Sequence, residues 1–173
     1  VVADLGCGDG YLTVEASRFA KKVIAVDRSD TALARARAMA ARRKLRNVEW
    51  KRGELEQLPL KDASVDVALL SQALHHAADP STALAEAVRI LRPAGRVLLL
   101  ELRRHEEAWV RDRLGATWLG FDDKELKTLR EAAGLTGVKL SVGARRARDP
   151  FTVLIASGVK TAARSKRTTR HVR

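Results

Sequence analysis

The chain has little cysteine, few aromatic residues and no long apolar run. Cys7 is the single cysteine among 173 residues, so no internal disulfide can form, which is typical of a reducing compartment and predicts a cytoplasmic location. No apolar run is long enough for a transmembrane helix or a signal peptide, so we expect no membrane insertion. Because aromatic residues make up 4% of the chain, aliphatic side chains must supply the core of what we predict to be one domain.

The net charge of +12 is concentrated at the carboxyl terminus. Residues 159–173 contain six lysines and arginines, no acid and no apolar periodicity. We therefore predict one domain over residues 1–158 and a basic disordered tail over residues 159–173. The tail is a candidate for weak nucleic-acid contact, and the alternative, which we favour, is a solvated tail with no specific partner.

The first ten residues place an acid and three alternate glycines around the end of a short apolar strand. Asp4 is followed by Gly6, Gly8 and Gly10, and Asp27 ends the next apolar strand, seventeen residues later. Glycines allow the backbone to approach a ligand that a Cβ atom would exclude. An acid after the second strand can accept hydrogen bonds from two ribose hydroxyls. The pattern therefore predicts a nucleoside-binding strand–helix–strand unit.

The spacing of the glycines is not that of a dinucleotide site. The dinucleotide fingerprint G-x-G-x-x-G requires a glycine at position 11 or 13, where this chain has Tyr11 and Thr13. In addition, the carboxylate of Asp4 would repel a pyrophosphate at this turn, whereas it suits a ligand that carries positive charge.

The rest of the chain alternates strand and helix patterns. Five apolar strand segments separated by helical segments predict an α/β fold with a doubly wound parallel sheet. Residues 135–142 and 151–157 predict an antiparallel pair of strands at its end. The first helix is predicted over residues 11–19, with Leu12, Ala16 and Phe19 on its buried face.

These features resemble class I S-adenosylmethionine-dependent methyltransferases, and within them the type 11 group that includes ubiquinone and menaquinone biosynthesis enzymes. The pattern D-x-G-x-G-x-G with Asp27 carries the resemblance. The segment 53–60 resembles the family's G-D-A-x-x-L-P-F, and the segment 71–80 resembles its S-x-x-L-H-H-x-x-D-P loop. The resemblance covers residues 1–158. It implies a Rossmann-like, seven-stranded sheet in the order 3-2-1-4-5-7-6, with strand 7 antiparallel.

The resemblance also implies S-adenosylmethionine as the cofactor and assigns residues to it. Asp4 and the glycines would hold the methionine end, Asp27 the ribose, and Glu54 with the backbone of Leu55 the adenine. Glu54 departs from the family's aspartate, which places the carboxylate one methylene further out. The predicted cofactor-binding residues are Asp4, Gly6, Cys7, Gly8, Gly10, Asp27, Arg28, Glu54, Leu55 and Ser71.

The acceptor side is predicted less fully. His75 and His76 would lie near the methyl acceptor, where either is a candidate catalytic base; alternatively they shape the loop or cap the next helix. We expect no metal site. The position after the fourth strand does not carry the Asn/Asp-Pro-Pro-aromatic tetrad of base amino methylation, so we predict a small-molecule acceptor. An RNA acceptor is less favoured, because the globular part has no basic stripe.

The segment 105–121 is predicted to reach over the site, where Trp109 and Trp118 would line the acceptor pocket or pack as a lid. Together with Arg145-Arg146 and Asp149-Pro150-Phe151, it resembles the methyltransferase half of hybrid proteins with an ArsR-type winged helix upstream.

The chain opens inside a strand, so we expect that upstream sequence is missing, with a DNA-binding domain as one candidate for it. Two functions therefore stay open. One is methyl transfer to a small molecule, and the other is a non-catalytic cofactor-sensing module of a winged-helix transcriptional regulator.

Overall fold

Seven strands and five helices alternate along the chain in the computed structural model, which describes residues 1–145 and 149–161. The strands are β1 (Val2–Leu5), β2 (Val23–Asp27), β3 (Val48–Arg52), β4 (Val65–Ser71), β5 (Leu91–Leu102), β6 (Leu135–Arg145) and β7 (Thr152–Lys160). The helices are α1 (Tyr11–Ser17), α2 (Asp30–Arg42), α3 (Pro80–Ile90), α4 (Trp109–Leu114) and α5 (Asp123–Ala132), and a 3-10 turn spans Leu74–His76.

The strands form one sheet in the order β3-β2-β1-β4-β5-β7-β6. Strands β1 to β5 are parallel, and β7 is antiparallel to both β5 and β6. The predicted fold class and strand order are therefore confirmed. The order reverses between β1 and β4, so the carboxyl ends of β1 to β4 meet at the switch point where open α/β sheets bind ligands.

The main apolar core lies between the sheet and two of the helices. Alternate residues of β1, β4 and β5 face α3 and α5, and they pack with aliphatic residues of α3 such as Leu84 and Ala87. Within the described residues, α1 and α2 contribute nothing to this cluster and bury their apolar residues against β1, β2 and β3 instead. The sheet is thus covered unequally, with its larger core on the α3 side.

The predicted buried face of α1 was wrong. The helix ends at Ser17, and its buried residues are Thr13, Val14 and Ser17, whereas Phe19 is 89% exposed. The physical reason is the buried acid on β1: the Thr13 hydroxyl turns inward and donates a hydrogen bond to Asp4. The buried face of α1 therefore contains polar residues, which a prediction from the periodicity of apolar residues alone would place in solvent.

Strand β7 continues further than its sequence pattern predicts and reaches Lys160, two residues beyond the predicted domain boundary at 158. The Lys160 ammonium group donates hydrogen bonds to the carbonyl oxygens of Val88, Arg89 and Leu91, at 2.8, 3.2 and 2.7 Å. These carbonyls lie at the end of α3, where helical carbonyls lack partners within the helix. The predicted tail beyond residue 161 lies outside the described residues.

In the part of the chain that the structure describes, every helix is too short or too polar to cross a membrane.

Replacing Lys160 tests its part in the fold. We expect Lys160→Met to lower the free energy of unfolding by about 1.5–3 kcal/mol, because a charged donor to three backbone carbonyls is lost. The matched control is Lys139→Met, at an exposed residue whose side chain forms no hydrogen bond or ion pair among the described residues, and it should change stability by less than about 0.5 kcal/mol. Urea unfolding measures both, and equal losses would contradict the assignment.

Candidate functional site

A cavity of about 710 Å³ lies at the carboxyl ends of β1 to β4. This volume is in the range of small-molecule and cofactor sites. The loops that follow β1, β2, β3 and β4 line most of it. The lining residues include Asp4, Gly6, Cys7, Gly8, Asp27, Arg28, Glu54, Leu55, Ser71 and His76, so nine of the ten predicted cofactor residues lie on the wall. The tenth, Gly10, is buried and does not line the cavity.

The glycine loop, residues 6–10, is shaped by the absence of side chains. A Cβ atom on Gly6 would lie 2.6 Å from the Cβ of Ala73, and one on Gly10 would lie 2.9 Å from the Cβ of Ala36. Gly8 differs: its φ of +51° also favours glycine, but a Cβ there would meet no atom within 4 Å. Gly6 and Gly10 therefore permit close packing of the loop, whereas Gly8 leaves open space beside the cavity.

Asp27 is held with its carboxylate toward the glycine loop. Its Oδ2 accepts a hydrogen bond from the N–H of Gly8 at 2.8 Å, and its Oδ1 accepts one from the N–H of Ser29 at 2.8 Å. Ser29 in turn caps α2 by accepting from the N–H of Ala32. An ionised carboxylate has about four acceptor positions, so two are left for a pair of neighbouring hydroxyls in the cavity.

Asp4 is the buried charge of the site. It is 1% exposed; its Oδ2 accepts from the Thr13 hydroxyl, while its Oδ1 is buried with no hydrogen-bond partner among the described residues. Burial raises the pKa of Asp4 from 3.8 to about 6, the Thr13 hydrogen bond opposes the rise, and the charge of Asp27 adds to it. A buried carboxyl with a free oxygen in a cavity wall is suited to a cationic ligand group.

Cys7 lies in the same wall and is not a plausible nucleophile. Burial raises the pKa of its thiol far above the usual value, and the nearby carboxyl groups of Asp4 and Asp27 raise it further. The thiol therefore stays protonated at neutral pH, and a protonated thiol is a weak nucleophile. Cys7 is therefore better interpreted as a small residue that fills the turn.

The loop after β3 carries the predicted adenine contacts. Glu54 is exposed and Leu55 is half-buried, and both line the cavity. A Cβ on Gly53 would lie 2.5 Å from the ring of Pro59, so glycine is needed where this loop folds back on itself. The side chain of Glu56 accepts hydrogen bonds from the N–H groups of Ala78 and Asp79, at 2.7 and 3.2 Å, and so joins this loop to the one after β4.

The two histidines of the turn have different surroundings. His76 is half-buried in the cavity wall, and its Nδ1 lies 3.0 Å from the carbonyl oxygen of Gly115. Because a carbonyl can only accept, Nδ1 carries the proton and Nε2 has a free lone pair in the neutral ring. Burial lowers the pKa of His76, the Gly115 carbonyl opposes this, and His75 lowers it further. His76 is therefore neutral near pH 7 and able to accept a proton.

His75 does not lie on the cavity wall. It is 5% exposed, and its Nδ1 lies 2.8 Å from Oε2 of Glu101, which is fully buried on β5. Sequence reasoning missed Glu101. The signal was present, since Glu101 is the only acid in the otherwise apolar run Val97–Leu102, but its partner lies 26 residues away on another loop.

Of the two alternatives predicted for Trp109 and Trp118, lining of the pocket or packing as a lid, the structure favours packing, since neither lines the cavity. The Trp118 indole N–H donates to the carbonyl oxygen of Ala77 at 2.9 Å, and its ring stacks on Phe121. Trp109 bonds to Glu107 and meets Phe151 edge to face. Of the segment between β5 and α5, only Leu114 lines the cavity within the described residues. Arg146, part of the predicted pattern here, lies outside them.

No three histidine, cysteine, aspartate or glutamate side chains are grouped as a metal site within residues 1–145 and 149–161.

Comparison with known proteins identifies a matching family. The sequence profile of a methyltransferase domain matches residues 3–99. A protein of a Streptomyces fradiae transposon is 41% identical over 101 residues, which are 57% of this chain and 29% of that protein. A probable S-adenosylmethionine-dependent methyltransferase of Mycolicibacterium smegmatis is 37% identical over 94 residues, 54% of this chain and 35% of that protein.

An uncharacterized methyltransferase of Mycobacterium bovis is 39% identical over 112 residues, 64% of this chain and 44% of that protein. The chain thus spans between 29% and 44% of the length of these three curated relatives.

Solved structures show the same fold. The YcgJ protein of Bacillus subtilis superposes with a TM-score of 0.75 at 19% identity, over 94% of this chain and 92% of that one. A phosphoethanolamine N-methyltransferase of Haemonchus contortus, solved with S-adenosyl-L-methionine, gives a TM-score of 0.79 at 15% identity, over 92% and 48%.

The raised pKa of Asp4 predicts a stability cost that depends on pH. Because the folded-state pKa lies above 3.8, ionisation opposes folding, and stability falls as pH rises from about 4 to about 6. Asp4→Asn cannot ionise, so relative to the wild type its free energy of unfolding should rise by about 1–2 kcal/mol between pH 5 and pH 8. Urea unfolding of both proteins at several pH values measures this. A difference that is constant with pH would contradict it.

Proposed function

The chain belongs to the methyltransferase domain family, and from that premise we propose that it transfers a methyl group from S-adenosylmethionine to a small-molecule acceptor. S-adenosylmethionine is its cofactor. The observation that carries the proposal is the single cavity that runs from the buried carboxyl of Asp4, past the glycine loop, to His76.

The residues present fit the methionine end of the cofactor. The free Oδ1 of Asp4 is a buried acceptor in need of a donor, and the methionine ammonium is both a donor and a cation. A cation at this position would favour ionised Asp4 and so remove the cost of burying its charge. The open space at Gly8 leaves room for the cofactor to lie against backbone.

The nucleoside end fits the neighbouring loops. Asp27 has acceptor positions for the two ribose hydroxyls, since each of its oxygens accepts only one backbone N–H. Glu54 and Leu55 are assigned to the adenine amino group and ring nitrogen. Cys7, Arg28 and Ser71 complete the wall around the cofactor.

When bound, S-adenosylmethionine supplies a methyl group already activated by its sulfonium. The protein's own residues then have to align the acceptor and exclude water, which accounts for much of the rate in such reactions. His76 is assigned the acceptor side. Its Nε2 takes a proton from an acceptor oxygen, nitrogen or carbon, and the electron pair of the broken bond stays on the acceptor, where it forms the bond to the methyl group. Nδ1 keeps its own proton and donates it in the hydrogen bond to the carbonyl of Gly115.

The alternative, a cofactor-sensing module without turnover, predicts a sealed site. The cavity instead continues beyond the cofactor loops to His76, Ala77 and Leu114, and Leu114 is 60% exposed. This room supports an acceptor beside the cofactor. We also infer a cytoplasmic location, which the presence of a single cysteine supports.

Gly8 tests the cofactor assignment. We expect Gly8→Ala to weaken binding of S-adenosylmethionine and S-adenosylhomocysteine at least tenfold, a loss of about 1.4 kcal/mol, because the new methyl group occupies the space left for the ligand. The control is Gly137→Ala on β6, which has a similar φ of +59° and similarly open surroundings but lies outside the cavity. It should cost similar stability and leave affinity unchanged. Calorimetric titration of the folded variants decides, and equal affinities in both would refute the assignment.

Turnover separates the two functions. With S-adenosylmethionine and a fraction of small cellular metabolites, the wild-type chain should release S-adenosylhomocysteine and place a labelled methyl group on a small molecule. Gly137→Ala should do the same, and Gly8→Ala should need at least tenfold more S-adenosylmethionine to reach the same rate. Mass spectrometry detects the product. Tight cofactor binding without any product would support the sensing module instead.

A further inference from the structure

Glu101 is a fully buried carboxyl group in the sheet. It lies near the end of β5 among aliphatic neighbours, with an exposure of 0%. Within the described residues no lysine or arginine forms an ion pair with it. Such a group is costly to bury unless hydrogen-bond donors surround it, so its contacts indicate its purpose.

Three donors surround Glu101, and two of them are backbone groups. Oε1 accepts from the N–H of Leu74 at 2.8 Å, and Oε2 accepts from the N–H of Leu102 at 3.2 Å. Backbone N–H groups cannot reverse their role. The third contact is Nδ1 of His75, 2.8 Å from Oε2. Since a carboxylate can only accept, this geometry requires the proton of neutral His75 on Nδ1.

His76 is also protonated on Nδ1, which donates a hydrogen bond to the carbonyl oxygen of Gly115. The two imidazole rings lie 4.3 Å apart between centroids and are tilted by 41°. The position of one ring therefore limits that of the other. Glu101 acts on both, since it anchors the turn at Leu74, where the turn begins, and at His75, directly before His76.

We propose that Glu101 is a positioning residue: it fixes the Nδ1-protonated tautomer of His75 and, through that ring and the turn, the placement of His76 in the cavity wall. A base held by a second group that orients its ring is the arrangement by which many enzymes keep a histidine ready to accept a proton. The proposal deepens the proposed function, on which the role of His76 rests, but the tautomer of His75 can be measured without cofactor or acceptor.

The substitution Glu101→Gln makes a sharp prediction about that tautomer. The glutamine oxygen can accept from the N–H of Leu74 only by turning its amide NH₂ toward His75. His75 must then accept through Nδ1, so its proton moves to Nε2. In either orientation the amide NH₂ opposes one backbone N–H. That N–H belongs to Leu102, 3.2 Å from Oε2 of Glu101, when the oxygen stays on Leu74, and to Leu74, 2.8 Å from Oε1, when the oxygen turns to His75. The longer contact is the less costly one to oppose, so we expect the NH₂ toward His75.

Long-range ¹H–¹⁵N NMR spectra of the imidazole rings measure this directly. The chain has four histidines, which single substitutions assign. We expect Nδ1-protonated rings at His75 and His76 in the wild type, and an Nε2-protonated ring at His75 in Glu101→Gln. The pH midpoint of His76 should also move lower in the variant. Burial is the main cause that lowers the pKa of His76, and Glu101 is one of the groups that raise it, whereas His75 and Arg28 lower it.

Glu56→Gln is the matched control. Glu56 also accepts from two backbone N–H groups, just after the same turn, but bonds to no histidine. This variant should leave both tautomers unchanged, which separates an effect on the histidines from a general loosening of the loop.

The wild-type spectrum can overturn the proposal by itself, if His75 is protonated on Nε2. An unchanged His75 tautomer in folded Glu101→Gln would also overturn it. Should Glu101→Gln fail to fold, the wild-type spectrum still decides, and Glu101→Asp, which keeps an acceptor-only group, is expected to retain the Nδ1 proton on His75. Failure to find methyl transfer would leave these tautomers as they are, so the two proposals can fail separately.

Discussion

The close packing of the glycine loop is the constraint on which the rest of the site depends. Gly6 touches Ala73 on the loop after β4, Gly10 touches Ala36 on α2, and Gly8 donates its N–H to Asp27 at the end of β2. The contacts of Gly6 and Gly10 therefore hold the loop after β4 and helix α2 at distances that a side chain at either glycine would increase, and the hydrogen bond from Gly8 ties the end of β2 to the same loop. Since interiors are packed as densely as crystals, such contacts leave the loop little room to move. The cavity is the space that this packing leaves.

The buried carboxyl group of Asp4 lowers the stability of the folded protein. A carboxyl on a central strand, with one oxygen unpartnered, costs folding free energy that an apolar residue would not. The same feature suits the site to the cationic group that we propose it binds. The hydrogen bond from the Thr13 hydroxyl to Oδ2 of Asp4 offsets part of this cost. Oδ1 is left to accept a hydrogen bond from a ligand. Proteins commonly break a local rule of this kind where function requires it, with compensation from the surrounding core.

Much of the fold follows from the sequence, and the exceptions have identifiable causes. The alternation of strand and helix patterns predicts a parallel sheet, while the complete strand order came from resemblance to a family, because pattern alone does not fix which strands are neighbours. The buried face of α1 was mispredicted because the Thr13 hydroxyl donates a hydrogen bond to the carboxyl group of Asp4, which lies on β1. Glu101 was overlooked for a similar reason, since its hydrogen-bond partner His75 lies on another element and the sequence of its own strand does not indicate it. The sequence left open whether Trp118 lines the pocket or packs as a lid, because its N–H bonds to a backbone carbonyl, and a sequence pattern does not identify backbone acceptors.

The sides of the cavity that we propose for the cofactor and for the acceptor are supported by different parts of the molecule. Asp4, Asp27 and Glu101 lie on strands, and their positions are set by the sheet. His76 is held also by the segment between β5 and α5, which supplies the carbonyl of Gly115, two backbone N–H groups to the carbonyl of His75, and Leu114 in the cavity wall. Connecting segments tolerate sequence change better than the strands they join. Changes in this segment can therefore alter the acceptor side while the cofactor side stays intact. The contact between His75 and Glu101 on β5 then has a clear physical purpose. It keeps one end of the histidine turn fixed to the sheet even when the sequence of the segment between β5 and α5 changes.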